Sequence, residues 1–260
     1  MFDALKARAE IVDWIKLWFA DKDKNSKAVI GISGGKDSTV AAALCTEALG
    51  PDRVIGVMMP NGVQEDIDDA IEVCKSLKIQ SVTVNIAGSV TAIERAIEKS
   101  GLAYGGGARI NTPPRSRMTI LYAIAASANG YVVNTSNKCE AFIGYCTKWG
   151  DNVGDLAPLA VLIVSEVVAI GKTYKEIPVR LIEKVPADGL SGMSDEEKLG
   201  FSYDEVEECI KNWNNGKIHE VPHCREIVLA QKRNEHKEIH IPAAPISRKR
   251  VMGEEKCKNE

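Results

Sequence analysis

The segment Gly31-Ile32-Ser33-Gly34-Gly35-Lys36-Asp37-Ser38 concentrates the residue types that bind phosphate. Its paired glycines let the backbone turn sharply and approach a ligand without Cβ clashes. Amides exposed by such a turn, together with the first amides of a following helix, form an anion site. Ser33, Lys36, Ser38 and Thr39 add hydroxyl or ammonium donors. Asp37 would repel a phosphate unless a cation stood between them, which points to Mg²⁺ held by its carboxylate. The loop matches neither GxxxxGK[ST] nor GxGxxG. The plainer alternative is a tight turn in which Asp37 and Ser38 cap a helix, but an apolar strand before the loop and a helix after it favour the nucleotide reading.

Other residues extend or confuse this chemistry. Glu140 follows the apolar run YVVNTS (131–136), at the sheet edge where Asp37 also emerges, so the two carboxylates can share magnesium. Glu140 is also where a helix dipole favours an ordinary acid. Arg115 and Arg117 suit bidentate contact with phosphate, although a solvated helix position serves Arg117 equally well. His219-Glu220-Val221-Pro222-His223 spells HExxH, but Pro222 breaks the continuous helix that a zinc site needs and is expected to open a helix that leaves His219 outside. Cys139 and Cys146 read as small buried hydrophobes, and Asp66, Asp68 and Asp69 as the solvated first turn of a helix.

The elements that must position these residues alternate regularly. Residues 2–20 have helical apolar spacing. Runs 27–33, 53–59, 81–86 and 131–136 read as strands, and 37–49, 65–78, 89–100 and 115–129 as helices. Continuously apolar strands separated by helices predict an α/β fold, a single-domain doubly wound parallel sheet with helices on both faces. Residues 203–213 and 222–237 read as further helices, and a charged tail occupies 247–260. The stretches 101–114 and 185–200 are rich in glycine, proline or acids and are expected to be irregular lids.

Composition removes other classes. With 33 Lys+Arg against 36 Asp+Glu among 260 residues, the formal charge is −3, which argues against gripping nucleic acid through its phosphates. No apolar run approaches a membrane span, and the first residues lack the pattern of a secretory signal. Seven cysteines with no CxxC pair are expected as free thiols in a cytoplasmic protein.

SGGKDS in this context resembles the signature of the PP-loop ATP pyrophosphatases. Five further blocks, NTPPRSRM (111–118), 132–159, PADGL (186–190), SDEEKLGFSYDEV (194–206) and EHK (235–237), resemble in order and spacing those of ammonia-dependent NAD synthetases. The resemblance implies an adenine nucleotide alpha-hydrolase-like fold, with ATP and Mg²⁺ used to amidate deamido-NAD with ammonia through an adenylated carboxylate. It implies ATP contacts from residues 31–38 and Thr135, magnesium on Asp37 and Glu140, and deamido-NAD contacts from Arg115, Lys148, Asp155, His236 and Lys237. Asp151 is the candidate for orienting ammonium and taking its proton, and Lys36 joins it as a catalytic candidate. A homodimer is expected, with no nucleic-acid or membrane partner. Two positions depart from the family pattern: Val164 stands where many members have a phosphate-binding lysine and Ala187 where they have a hydroxyl residue, and Lys36 or Lys172 could supply the charge. The competing readings are a tRNA-thiolating PP-loop enzyme, disfavoured by the missing CxxC and basic extension, and a non-catalytic nucleotide-binding protein.

Overall fold

The computed structural model describes residues 2–64, 66–184, 194–213 and 217–246. Four short strands, β1 (Lys27–Gly31), β2 (Val54–Met58), β3 (Gln80–Thr83) and β4 (Gly130–Val132), form a wholly parallel sheet in the order β3-β2-β1-β4. The register pairs Val29 with Ile55 and Val132. Single bridges from Val133 to Leu156 and from Ala157 to Ala243 extend the sheet beyond β4.

Alternation along β1 divides the core. Ala28 and Ile30 face α1 (Ala4–Ala20), α2 (Lys36–Leu49), α3 (Ile67–Leu77), α7 (Val164–Gly171) and α8 (Val179–Ile182), where Ile11, Ile15, Val40, Leu44, Ile170 and Leu181 are buried. Val29, with Ile55 and Val57, faces the opposite layer of α4 (Ala87–Lys99) and α5 (Gly106–Ser127). Strands buried on both faces are why each reads as an unbroken apolar run. A smaller cluster of α6 (Lys138–Ile143), α10 (Tyr203–Asn212) and α11 (Cys224–Asn234) packs around Ile143, Val206 and Ile227. The α9 turn (Asp195–Leu199) precedes α10 and shares its capping pattern, Ser194 with Glu197 and Ser202 with Glu205.

Several expectations need correction. Of the first suspected lid, only residues 101–105 are irregular: α5 begins at Gly106 and runs through Pro113 and Pro114. Each proline removes one amide donor and crowds the carbonyl one turn back, yet the helix continues through both. The early turns are tied to α4 by Arg109 with Glu94 at 2.8 Å and within α5 by Asn111 Nδ2 donating to the Gly107 carbonyl at 2.8 Å. Of the second suspected lid, 194–200 forms α9 and its cap, while 185–193, with Ala187, lies outside the described residues, as does the 247–260 tail. The helix after HExxH begins at Cys224 rather than at Pro222.

Candidate active site

The phosphate loop joins β1 to α2 at the carboxyl edge of the sheet, where open α/β folds bind ligands. Gly34 has φ +82°, and a Cβ there would lie 2.9 Å from Asp69 Cβ and 3.0 Å from the Ala70 nitrogen, so only glycine lets the loop rest on α3. Ser38 Oγ accepts from the Ser33 amide at 3.3 Å, and Ser33 Oγ accepts from the Gly35 amide at 3.2 Å. No side chain caps α2 at Gly35, so Asp37 and Ser38 are not the capping device of the plainer reading. The 14-residue α2 thus presents uncapped first-turn amides beside a serine-lined turn, the arrangement of an anion site.

Lys36 and Asp37 open α2. Lys36 is buried, 4% exposed, and its Nζ donates to Asp37 Oδ2 at 2.8 Å. Burial alone would lower this ammonium, but Asp37 and Glu140 hold it raised and therefore charged. Asp37 Oδ1 accepts from Asn137 Nδ2 at 3.1 Å. Asn137 is itself the N-cap of α6, accepting from the amides of Cys139 and Glu140, while Glu140 Oε2 accepts from the Asn137 amide at 3.1 Å. Glu140 is therefore both the capping acid of α6 and a partner of Asp37 across the site. Desolvation, then Asp37, pushes its carboxyl up to about 8, against the pull of Lys36 and the Asn137 amide.

Two hard carboxylates beside a phosphate loop suit Mg²⁺, which uses one or two protein carboxylates and completes its shell with phosphate and water. The described residues hold no ready-made group of three or more metal-ligating His, Cys, Asp or Glu side chains, as expected for a site that the nucleotide completes. Asp37 and Glu140 are the residues that fit the ion.

A cleft runs from this centre to the C-terminal segment, lined by Asn134, Ser136, Glu140, Gly144, Cys146 and Lys237 among others. Lys237 Nζ donates to the Gly144 carbonyl at 3.0 Å, and Asn152 Nδ2 donates to the Lys237 carbonyl at 2.8 Å. Lys148 Nζ donates to the His236 carbonyl, and Arg115 Nε to the Lys148 carbonyl at 3.2 Å. The geometry thus brings Arg115, Lys148, His236 and Lys237 into one neighbourhood at the far end of the cleft. Asp151 joins them, its Oδ1 accepting from the Thr147 amide at 2.6 Å. Thr135 lies in the loop beyond β4 rather than on a strand end. Asp155 departs most from expectation, because its Oδ2 accepts from the Val132 amide at 2.7 Å and clamps β4.

Arg117 is not a solvated helix arginine: its Nε donates to the Met59 carbonyl at 3.0 Å, and burial lowers its guanidinium. Asp66 and Asp69 are likewise engaged, with Lys184 Nζ at 2.6 and 2.7 Å and Arg180 at 2.6 Å from Asp69. Lys172 is remote in function, half-exposed and paired with Glu183 at 2.6 Å. Val164 sits in the apolar cluster around Tyr203. His219 occupies a short 3-10 turn, and His223, with φ +49°, caps α11 against Glu205 at 2.8 Å, so HExxH shares no helix face. Burial raises the Cys139 thiol to about 12 and the Cys146 thiol to about 11, leaving both inert. Sequence reasoning missed Asn137 and Tyr203, although Asn137-x-x-Glu140 spells a capping box.

Comparison with known proteins agrees with this geometry. The NAD synthase family profile matches residues 8–240. The NH(3)-dependent NAD(+) synthetase of Methanoregula boonei is 37% identical over 223 residues, covering 84% of this chain and 88% of the relative. That of Thermococcus sibiricus is 36% identical over 236 residues, covering 90% and 91%. Among solved structures, the NMN synthetase of Francisella tularensis superposes with a TM-score of 0.80 at 30% identity, covering 93% of this chain and 98% of that one. The NH3-dependent NAD synthetase of Campylobacter jejuni superposes with a TM-score of 0.75 at 27% identity, covering 91% and 96%. With residues 8–240 matched by the family profile and most of its length shared with these relatives, the chain belongs to the NAD synthase family of C–N bond-forming ligases.

Proposed function

We propose that the chain amidates deamido-NAD with ammonia at the expense of ATP, releasing NAD, AMP and pyrophosphate. The observation that carries this reading is the joining of Lys36, Asp37, Asn137 and Glu140 through bonds of 2.8 to 3.1 Å beside an uncapped α2, at one end of a cleft that reaches Lys237. In the first step the nicotinate carboxylate attacks the α-phosphorus of ATP and pyrophosphate leaves, the loop amides and Lys36 taking the developing charge. Mg²⁺ on Asp37 and Glu140 would neutralise the phosphate chain. In the second step ammonia attacks the acyl carbon, AMP departs, and Asp151 takes the proton that ammonium must lose. Arg115, Lys148, His236 and Lys237 hold the dinucleotide. Asp155, engaged with β4, positions the loop that carries Asp151.

The protein acts in the cytoplasm as a homodimer. Support for dimerisation comes from the face between β3 and α5, where Ile55, Val82, Val84, Ile120 and Ile124 line an open apolar depression at the edge of the sheet. Ile110 is exposed on α5, and Ile93 on the neighbouring α4. Replacing Ile120 and Ile124 by glutamate is expected to give monomers in analytical ultracentrifugation.

The deciding assay supplies ATP, Mg²⁺ and ammonium with deamido-NAD in one arm and its deamidated mononucleotide in the other, the second arm chosen because one structural relative is an NMN synthetase. NAD, AMP and pyrophosphate in equal amounts are expected. Turnover of the mononucleotide alone would reassign the substrate, and no pyrophosphate in either arm would overturn the reading.

A further inference from the structure

Tyr203, the first residue of α10, is 4% exposed, yet its hydroxyl has no hydrogen-bond partner among the described residues. A buried hydroxyl without a partner costs stability and requires an explanation. Its surroundings supply one. The Lys36 ammonium lies 5.7 Å from the centre of the Tyr203 ring, on the side of the phosphate loop. Burial, followed by Glu140, Asp195 and Asp37, raises the phenol and keeps it protonated. The neighbouring phenol of Tyr145 is already committed, donating to Asp195 Oδ1 at 3.1 Å. Further along α10, Glu207 accepts from the Ser165 amide at 2.6 Å and from Ser165 Oγ at 2.7 Å, which fixes the helix against α7. The Tyr203 ring is packed with Cys139, Ile143 and Ile163. The hydroxyl is therefore held without a partner on a packed ring that lies beside Lys36.

We propose that Tyr203 is a further nucleotide-binding residue whose hydroxyl donates to an oxygen of the β,γ-phosphate portion of ATP. Three features select this ligand. The Tyr203 ring lies beside Lys36, the cation at the start of α2 that adjoins the phosphate loop. A phenol that stays protonated is a donor to anionic oxygen. A ligand acceptor would remove the cost of the orphaned group and make binding tighter for any nucleotide that carries the terminal phosphates. The inference rests on the ATP reading of the loop.

The test is Tyr203→Phe, which keeps the ring over Lys36 and deletes one oxygen. Calorimetric binding of ATP and of AMP, each with Mg²⁺, is measured for both proteins alongside the melting temperature. Loss of one hydrogen bond to a charged group predicts about tenfold weaker ATP binding, AMP affinity within about twofold, and a melting temperature equal to or above that of the parent. Unchanged ATP affinity, or equal losses for ATP and AMP, would overturn the assignment while leaving the ATP reading intact. Parent protein that binds neither nucleotide would overturn the ATP reading and this inference with it.

Discussion

The side-chain amide of Asn137 donates to Asp37 Oδ1 at 3.1 Å, while the oxygen of the same amide caps the helix that carries Glu140. One fully buried residue therefore orients both carboxylates assigned to magnesium, from elements a hundred positions apart. Asn137→Ala is expected to lose the cap, about 1 kcal/mol, together with the Asp37 contact, and to lower the melting temperature by several degrees. Asn137→Ser keeps a capping oxygen but cannot reach Asp37. It is expected to retain most of the stability while ATP-dependent turnover falls at least about tenfold, the cost of a mispositioned group. Parallel losses in both variants, read from thermal melts and pyrophosphate release, would count against the positioning role.

Lys36 and Lys172 were the two candidates for the charge missing at Val164, and their surroundings separate them. Lys36 is enclosed and paired with Asp37 at the start of α2, whereas Lys172 is 48% exposed and paired with Glu183 at the surface. Lys36→Met is expected to reduce kcat/KM for ATP by about 10²- to 10³-fold, the range for losing one preorganised donor. It should also destabilise the protein, because Asp37 and Glu140 would be left without their cation. Lys172→Ala is expected to stay within about twofold, as surface pairs contribute little. Steady-state kinetics with varied ATP distinguishes the two, and equal, small effects would remove Lys36 from the mechanism.

The parts legible in the sequence are those governed by local chemistry. Continuous apolar runs announced β1 and β2 because both faces of the sheet are covered, and the Gly34-Gly35 turn announced the loop because φ +82° leaves no choice of residue. The helix through Pro113 and Pro114 is not legible: prolines remove donors and crowd the preceding turn, so two of them read as breakers, while the Glu94 contact with Arg109 comes from a separate helix. Asp66 and Asp69 looked solvated because Lys184 and Arg180, their partners, lie more than a hundred residues away. Asn137 and Tyr203 escaped for the same reason, since their significance lies in what the fold places opposite them.

Gly34 offers a purely steric test. A methyl group there would meet Asp69 Cβ at 2.9 Å and the Ala70 nitrogen at 3.0 Å, and neither is the yielding end of a flexible side chain. The positive φ adds about 1–3 kcal/mol for a non-glycine residue. Gly34→Ala is therefore expected to displace the loop from α3 and abolish measurable ATP binding, whereas Gly62→Ala, also at positive φ but with open space around it, should bind ATP normally. Calorimetric titration of the two variants checks this, and normal ATP binding by Gly34→Ala would contradict a loop seated on α3.

Glu140 makes the protein's behaviour depend on pH in opposite directions with and without ligand. Its carboxyl is raised from the ordinary range to about 8 by desolvation and Asp37, so the folded protein retains a proton that the unfolded chain releases near pH 4.5. The native state binds more protons across that window, and stability must fall as pH rises from about 5 through 8. Glu140→Gln removes the titrating group and should flatten that part of the melting curve, with the largest gain over the parent at pH 8 and above. Binding of ATP with Mg²⁺ requires the carboxylate, so complex formation near pH 7 must expel a proton, as metal binding to a protonated ligand does. Apparent affinity should therefore increase toward pH 8 and then level off. Titrations in two buffers of different ionisation enthalpy count the released protons directly. No proton release at pH 7, together with a flat stability profile in the parent, would show that Glu140 is already ionised in the free enzyme and that Lys36 alone suffices to hold the carboxylate pair.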